Sequence, residues 1–181
     1  MTIGPKAIIH LDRLVHNYQI VKEYIGGRRI MAVVKANAYG HGAVECAKAL
    51  ASDGCDSFAV FTFEEAIELR DAKITDDIFV FSRLHSDFLA EAVDRKITLN
   101  ISHSDDLDTV IGFHAENGES PKVHLKVDTG MTRLGIAMEE AEPILTELQH
   151  RYQPFPQQDI DSSTGREVLQ PTQMQARPTN C

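Results

Sequence analysis

The chain is poor in cysteine and in basic residues. Its three cysteines, Cys46, Cys55 and Cys181, are irregularly spaced, which argues against a disulfide framework and favours a reducing compartment. Lysine and arginine number 18 against 27 aspartates and glutamates, a net charge of −9, whereas a nucleic-acid-binding surface needs clustered basic residues. No apolar run reaches the length of a membrane span, and the N-terminal residues do not form a signal-peptide pattern. We therefore expect a cytoplasmic location, with neither nucleic acid nor membrane among the partners.

Two common kinds of site also lack their sequence patterns. The eight histidines are scattered, and none pairs with another histidine or a cysteine at the spacing of a zinc site. No Gly-x-Gly-x-x-Gly follows the first strand of the βα alternation described next, which argues against a dinucleotide site. The sequence therefore predicts no metal centre.

Apolar segments alternate between strand and helix patterns as far as His150. A leading strand at 7–10 is followed by a helix capped by Asp12. Predicted strands then lie at 29–35, 57–61, 77–82, 97–100 and 123–128, and predicted helices at 43–50, 63–72, 86–94, 105–116 and 142–150. The strand interiors are continuous apolar runs, as in parallel strands buried on both faces. The fold class is therefore α/β with about five βα units, which fits either a doubly wound sheet or a partial (β/α)₈ TIM-type barrel.

The composition changes abruptly near Arg151. Residues 151–181 are rich in glutamine, proline, serine and threonine and have no sustained apolar period. Such a segment cannot bury enough surface to offset the entropy lost on ordering. We expect residues 1–150 to form the folded part and residues 151–181 to be a disordered or frameshifted tail.

Lys35 is the residue most suggestive of chemistry. It ends the apolar run 31–34 and opens a segment of turn-forming residues, 36–42, that includes Tyr39. Because desolvation disfavours a charged amine, a lysine at the end of a buried strand is suited to nucleophilic attack on a carbonyl, above all as a Schiff base with pyridoxal phosphate (PLP). The glycines would let backbone approach a phosphate, and Tyr39 offers a hydroxyl. Taken alone, Lys35 is better explained as a solvated lysine that caps a strand, since most lysines are solvated.

A second segment, 123–135, repeats this arrangement. Lys126 lies near the C-terminal end of a predicted strand, a Thr-Gly turn follows, and Arg133 comes shortly after. Functional groups of parallel α/β folds gather at the C-terminal ends of strands, so Lys35 and Lys126 are expected at the same edge. A solvated lysine and a surface salt bridge would explain Lys126 and Arg133 separately, but not the pairing of both segments.

Together these segments resemble the alanine racemase family, the fold-type III PLP enzymes. Residues 32–42 (AVVKANAYGHG) are similar almost letter for letter to the family's cofactor-lysine signature. Residues 126–135 (KVDTGMTRLG) resemble its second signature strand, and 11–18 (LDRLVHNY) its start. Thr132 stands where the family would have glycine or asparagine. The resemblance covers the chain as far as about His150.

The resemblance implies roles for four residues. Lys35 would carry PLP and serve as one of two catalytic bases, and Tyr39 would hydrogen-bond the cofactor phosphate. Lys126 would be carboxylated on its side-chain nitrogen, and the carbamate would hold Arg133 through charge-assisted hydrogen bonds. Arg133 would contact the phenolic oxygen of the cofactor and the substrate carboxylate. The family's reaction interconverts L-alanine and D-alanine for cell-wall peptidoglycan, in a homodimer whose partner subunit supplies a tyrosine as the opposite base.

Several parts that the family implies are missing from the sequence. A (β/α)₈ barrel needs about 250 residues, and the C-terminal β-domain with its tyrosine is absent. Either the sequence is a fragment or frameshifted product of an ordinary racemase, or it is a true short protein with a partial barrel. In both cases we expect the isolated chain to be marginally stable, because unpaired strand edges recruit other chains, and inactive alone.

Other functions stay open beside alanine racemisation. A racemase of serine or of broad specificity would share these motifs, since the determinants of substrate size lie in the missing part. A non-catalytic PLP-binding protein would keep Lys35 without a second base. An inert scaffold would have neither property.

Overall fold

The computed structural model describes residues 7–151. The expected tail, 151–181, lies outside the described residues except for Arg151. The helices are α1 Leu11–Tyr24, α2 Lys35–Gly40, α3 Ala43–Ser52, α4 Phe63–Asp71, α5 Leu89–Asp94, α6 Ser104–Asn117 and α7 Met138–Arg151, with a 3-10 turn at Ser86–Phe88. The strands are β1 Ala32–Val33, β2 Ser57–Val60, β3 Asp77–Val80, β4 Ile97–Ile101 and β5 Val123–Leu125.

The five strands form one parallel sheet in the order of the sequence, β1-β2-β3-β4-β5. A doubly wound sheet reverses its strand order at a switch point, whereas a barrel adds each strand beside the last. The order thus decides between the two predicted architectures in favour of the partial barrel, and the α/β fold class is confirmed.

Register gives the sheet two distinct faces. Val33 pairs with Ala59, Ala59 with Phe79 and Phe79 with Thr98, so these residues share one face, which we call the inner face. The opposite face carries the strand residues of the hydrophobic core, among them Phe58, Val60, Ile78, Val80, Ile97, Leu99 and Ile101. Helix residues of the same core cluster, including Ala47, Leu50, Ala66, Leu69, Leu107 and Val110, complete it. Each large side chain buried in this way contributes about 1.5–3 kcal/mol.

Near the N-terminus, the predicted strand at 7–10 and the predicted helix cap at Asp12 are wrong, and the next predicted strand is shorter than expected. Residues 7–10 do not form a strand: they pair with none of the described strands, and Ile8 is exposed. Helix α1 begins at Leu11 after His10, with no side-chain cap, so Asp12 lies in its first turn and does not cap it. The predicted strand 29–35 shortens to Ala32–Val33. Apolar residues alone do not make a strand where no partner is paired.

Candidate functional site at the C-terminal edge of the sheet

Lys35 lies two residues after the end of β1, at the C-terminal edge of the sheet, and it is half-buried. Its amine lies on the inner face, because it contacts Phe61, which follows the inner-face residue Ala59 by two positions. There the Lys35 Nζ stands 5.8 Å from the centre of the Phe61 ring, which follows the neighbouring strand β2. The contact is a cation–π interaction that keeps the amine over an apolar surface.

The segment that follows Lys35 forms a left-handed helical turn. Ala36, Asn37, Ala38 and Tyr39 have φ of 52, 54, 51 and 56°, in the region that L-residues rarely adopt. Left-handed residues cost about 1–2 kcal/mol each, and strain of this kind persists only where surrounding contacts fix it. The predicted turn at 36–42 is therefore present, in a conformation that the sequence pattern did not indicate.

Hydrogen bonds within the turn fix its conformation. The Asn37 Oδ1 accepts from the Ala43 N–H at 2.8 Å, and the Asn37 carbonyl accepts from the Gly42 N–H at 3.0 Å. His41 Nδ1 lies 2.7 Å from the Ala38 carbonyl, which assigns the proton to Nδ1. His41 thus has a structural role in the turn, and Asn37 connects it to the start of α3.

Tyr39 occupies the outer part of the same turn, with 62% of the residue exposed. Its hydroxyl is accessible to a ligand bound at this edge. The other described tyrosines lie on α1. Tyr18 is buried there and donates its hydroxyl hydrogen to the Gly54 carbonyl at 3.1 Å, on the loop before β2 at the opposite edge of the sheet.

Glu65, in the first turn of α4, joins the Lys35 segment to the end of β2. Its Oε1 accepts from the Ala36 N–H at 2.6 Å, and its Oε2 accepts from the Phe61 N–H at 2.8 Å and the Thr62 N–H at 3.1 Å. Thr62 and Glu65 form the capping box of α4, a Thr-x-x-Glu pattern visible in the sequence. That pattern locates a helix start; the additional contact to Ala36 depends on the fold and was not predicted.

Lys126 continues the line of β5 and donates its backbone N–H to the Ile101 carbonyl at 2.8 Å. Its side chain is half-buried, and its position, two residues beyond His124, lies on the inner face because His124 pairs with Asn100. Lys35 and Lys126 therefore lie at the same edge and on the same face. Three strands separate β1 from β5, a distance of about 19 Å along the sheet.

The loop after Lys126 closes back on β5. The Ile136 N–H donates to the Lys126 carbonyl and the Asp128 N–H to the Ile136 carbonyl, both at 2.8 Å. The Asp128 Oδ1 accepts from the Gly130 N–H at 2.9 Å. Backbone N–H donors of Gly130, Thr132 and Met131, together with the charge of Lys126, hold the pKa of the Asp128 carboxyl below its ordinary value.

Arg133 lies in this loop with an exposed side chain. Within residues 7–146, whose side chains the structure describes, no hydrogen bond joins Arg133 to Lys126, as expected for two unmodified cations. The structure thus places all four predicted residues, Lys35, Tyr39, Lys126 and Arg133, beyond the C-terminal ends of strands, without bringing Lys126 and Arg133 into contact.

The described residues also bear on metal ligation, membrane spans and reactive thiols, in that order. Within the described ranges, no group of three or more histidine, cysteine, aspartate or glutamate side chains could hold a metal ion. None of the helices in that part of the chain is both long enough and apolar enough to traverse a bilayer. Cys46 and Cys55 are buried free thiols, and burial raises the pKa of each.

The sequence matches a known protein family over most of its length. Residues 9–157 match the family described as the N-terminal domain of alanine racemase. Alanine racemase 2 of Caldanaerobacter subterraneus is 40% identical over 128 residues, which cover 70% of this chain and 33% of that protein. Alanine racemase of Aromatoleum aromaticum is 42% identical over 139 residues, covering 76% of this chain and 38% of that protein. The chain thus spans little more than a third of the length of these relatives.

Solved structures show the same fold. Alanine racemase from Clostridium difficile superposes with a TM-score of 0.72 at 34% identity, covering 77% of this chain and 37% of that one. Alanine racemase from Corynebacterium glutamicum gives a TM-score of 0.67 at 35% identity, with 76% and 39% covered. A histidine racemase from Leuconostoc mesenteroides gives 0.72 at 32% identity, with 78% and 38% covered.

Proposed function

This chain belongs to the alanine racemase N-terminal domain family, whose members here are isomerases, and we propose that it forms the lysine-bearing part of a PLP-dependent alanine racemase. The observation that carries the proposal is the position of Lys35. It is on the inner face, at the edge where parallel α/β folds place their chemistry, and a left-handed turn fixes it there.

The donor set at this edge fits PLP. An aldehyde requires an amine, which Lys35 supplies; a phosphate requires donors, and the exposed Tyr39 hydroxyl is one. Arg133 offers a guanidinium to an anionic oxygen. When bound, the cofactor delocalises the electron pair left on the substrate Cα after proton loss. Lys35 would hold the cofactor and exchange the α-proton on the D-alanine face through its Nζ.

Lys126 and Arg133 would act as a pair after modification. Attack of the Lys126 amine on CO₂ forms an N–C bond and releases a proton, which leaves an anionic carbamate. That anion would attract the guanidinium of Arg133, which now lies exposed in the loop that begins two residues later. Arg133 would then face the phenolic oxygen of the cofactor and the substrate carboxylate.

Alanine is the substrate that most of these relatives' names state. We propose that the whole protein acts on alanine as a cytoplasmic homodimer and makes D-alanine for peptidoglycan. The structural similarity to a histidine racemase shows that this part of the fold also occurs with another substrate. A serine or broad-specificity racemase is therefore the second candidate. A non-catalytic PLP-binding protein is the third, because no described tyrosine other than Tyr39 lies at the site edge to act as the opposite base.

The decisive experiment measures loss of deuterium from α-deuterated alanine in a full-length racemase that carries this segment. Lys35→Ala should lower the exchange rate by at least about 10²–10⁴-fold, the range for a lost acid–base group. Arg133→Ala should leave PLP bound and slow exchange by about 10²-fold. Lys122→Ala, an exposed lysine before β5, is the control and should be unchanged.

Two results would contradict the proposed racemase function or the role of Lys35 in it. Wild-type exchange in the Lys35→Ala variant would remove Lys35 from catalysis. PLP binding with no exchange in the unsubstituted protein would favour the non-catalytic alternative. The same assay with serine and histidine in place of alanine separates the substrate classes. For the 181-residue chain alone, in contrast to the full-length racemase, we expect no exchange.

A further inference from the structure

We propose that Glu65 is a positioning residue for Lys35, acting through the backbone of the left-handed turn. The inference rests on the proposed function, since positioning matters only if Lys35 holds the cofactor. Glu65 lies on α4, an element whose inward residues Phe63, Ala66 and Leu69 are buried in the core. Its carboxylate therefore extends from a rigid support toward the site edge.

The two carboxylate oxygens hold two separate segments. Oε1 accepts the N–H of Ala36, the residue next to Lys35, at 2.6 Å. Oε2 accepts the N–H of Phe61 at 2.8 Å, and Phe61 is the residue whose ring underlies the Lys35 amine. One side chain thus fixes both the backbone that carries Lys35 and the surface on which the amine rests.

The hydrogen bonds from the Ala36 and Phe61 N–H groups are strong ones, because their acceptor is a carboxylate. Hydrogen bonds to an ionised carboxylate are shorter and about twice as strong as neutral ones. Ala36 begins the run of left-handed residues, where an unfixed backbone would relax to ordinary φ values. Both oxygens accept hydrogen bonds from backbone donors, so the role proposed for Glu65 is to hold these segments in place.

The test compares Glu65→Gln with Glu64→Gln, which removes the same charge from the neighbouring, exposed position of the same helical turn. Glutamine keeps one acceptor oxygen but turns an NH₂ group toward a backbone donor. In the unliganded chain, Glu65→Gln should speed hydrogen exchange of the Ala36 amide by about 10–100-fold, the effect of losing a charge-assisted bond. Glu64→Gln should leave it unchanged.

A second readout follows the cofactor. With PLP and borohydride, the imine formed at a lysine with loss of water is reduced by hydride to a stable secondary amine, which peptide mass spectrometry locates. Glu65→Gln should lower the share of label on Lys35 by about 3-fold or more, which is the effect of losing even part of the hydrogen bond's free energy. Glu64→Gln should not.

Thr62→Ala separates positioning from a general loss of stability. It removes the hydroxyl that accepts the Glu65 N–H at 3.3 Å but leaves the carboxylate contacts in place. Under a merely structural role, Thr62→Ala and Glu65→Gln would reduce Lys35 labelling equally at matched stability. That result, or Ala36 exchange as slow in Glu65→Gln as in Glu64→Gln, would overturn the proposal. If the wild-type chain takes no label at Lys35, the proposed function fails, and Ala36 exchange still decides whether Glu65 holds the turn.

Discussion

Thr132 is a β-branched residue in a conformation that favours glycine. Its φ is 52°, and this is the position where the family resemblance leads one to expect glycine or asparagine. The sequence departure therefore has a physical counterpart: the loop keeps the left-handed geometry although the side chain is poorly suited to it.

Replacing Thr132 by asparagine should stabilise the protein. Asparagine tolerates the left-handed region, so we expect the free energy of unfolding to rise by about 1 kcal/mol. Urea denaturation measures it. Thr129→Asn, in the same loop but without a positive φ, is the control and should change stability by less than about 0.5 kcal/mol. Equal gains in both variants would contradict the account.

The lowered pKa of Asp128 leads us to expect that the conformation of the same loop depends on pH. Because its pKa in the folded chain is lowered, its stabilising effect is present above the unfolded pKa and is lost as pH falls through the folded value. The NMR chemical shift of the Gly130 amide, which donates to Asp128, should therefore change with pH below about pH 4 and not near neutrality. In Asp128→Asn this titration should disappear. A midpoint at or above the ordinary aspartate value would show that the N–H donors do not stabilise the carboxylate.

At the scale of single residues, the sequence predicts where the candidate residues lie better than it predicts which residues contact them. Lys35 and Lys126 could be placed at one edge because strand ends are readable from apolar runs. The contact between Glu65 and Ala36 could not, since 29 residues separate the two along the chain. Side-chain contacts of this range depend on how α4 packs, which local patterns do not encode.

Gly135 lets the loop that carries Arg133 approach β5. At φ of 124°, a Cβ at Gly135 would stand 2.8 Å from the Asp128 nitrogen and 3.1 Å from the Lys126 carbonyl oxygen. Both are backbone atoms, which cannot move aside without shifting the strand. The second signature segment therefore needs glycine here for a steric reason as well as a conformational one.

Gly135→Ala should destabilise the chain by about 2 kcal/mol or more, as expected for strain at a special backbone position. Gly112→Ala is the matched control: it lies within α6 with open space around it, and alanine there should add about 0.5–1 kcal/mol of stability. Thermal unfolding of both variants checks this. A neutral Gly135→Ala would mean that the loop does not pack against β5 in solution.

At the scale of elements, helices and strands with buried partners were predictable. The strands β2, β3 and β4 follow the predicted apolar runs closely, since their residues are almost all buried. The segment 7–10 is also apolar but pairs with none of the strands in residues 7–151, so its predicted strand was wrong. The left-handed turn could not be predicted from propensity, because alanine and tyrosine disfavour that region.

At the scale of the whole molecule, the described residues form one parallel sheet with helices, and the order of its strands matches the first part of a barrel. Its inner face carries half-exposed apolar residues at the site edge: Val33 is 39% and Phe61 44% exposed. The described residues present the Lys35 side of the proposed site. The fold class and the edge at which the candidate residues lie could be predicted from the sequence, whereas the order of the strands required the structure.

The central claim is that Lys35 is the lysine prepared for PLP, and borohydride trapping followed by peptide mapping tests it most directly. The chain is incubated with PLP at limiting concentration, reduced and digested. We predict that pyridoxyl label concentrates on Lys35, well above the exposed Lys48 and Lys122, and that free phosphate lowers it. Label spread evenly over the lysines, or absent from Lys35, would contradict the account.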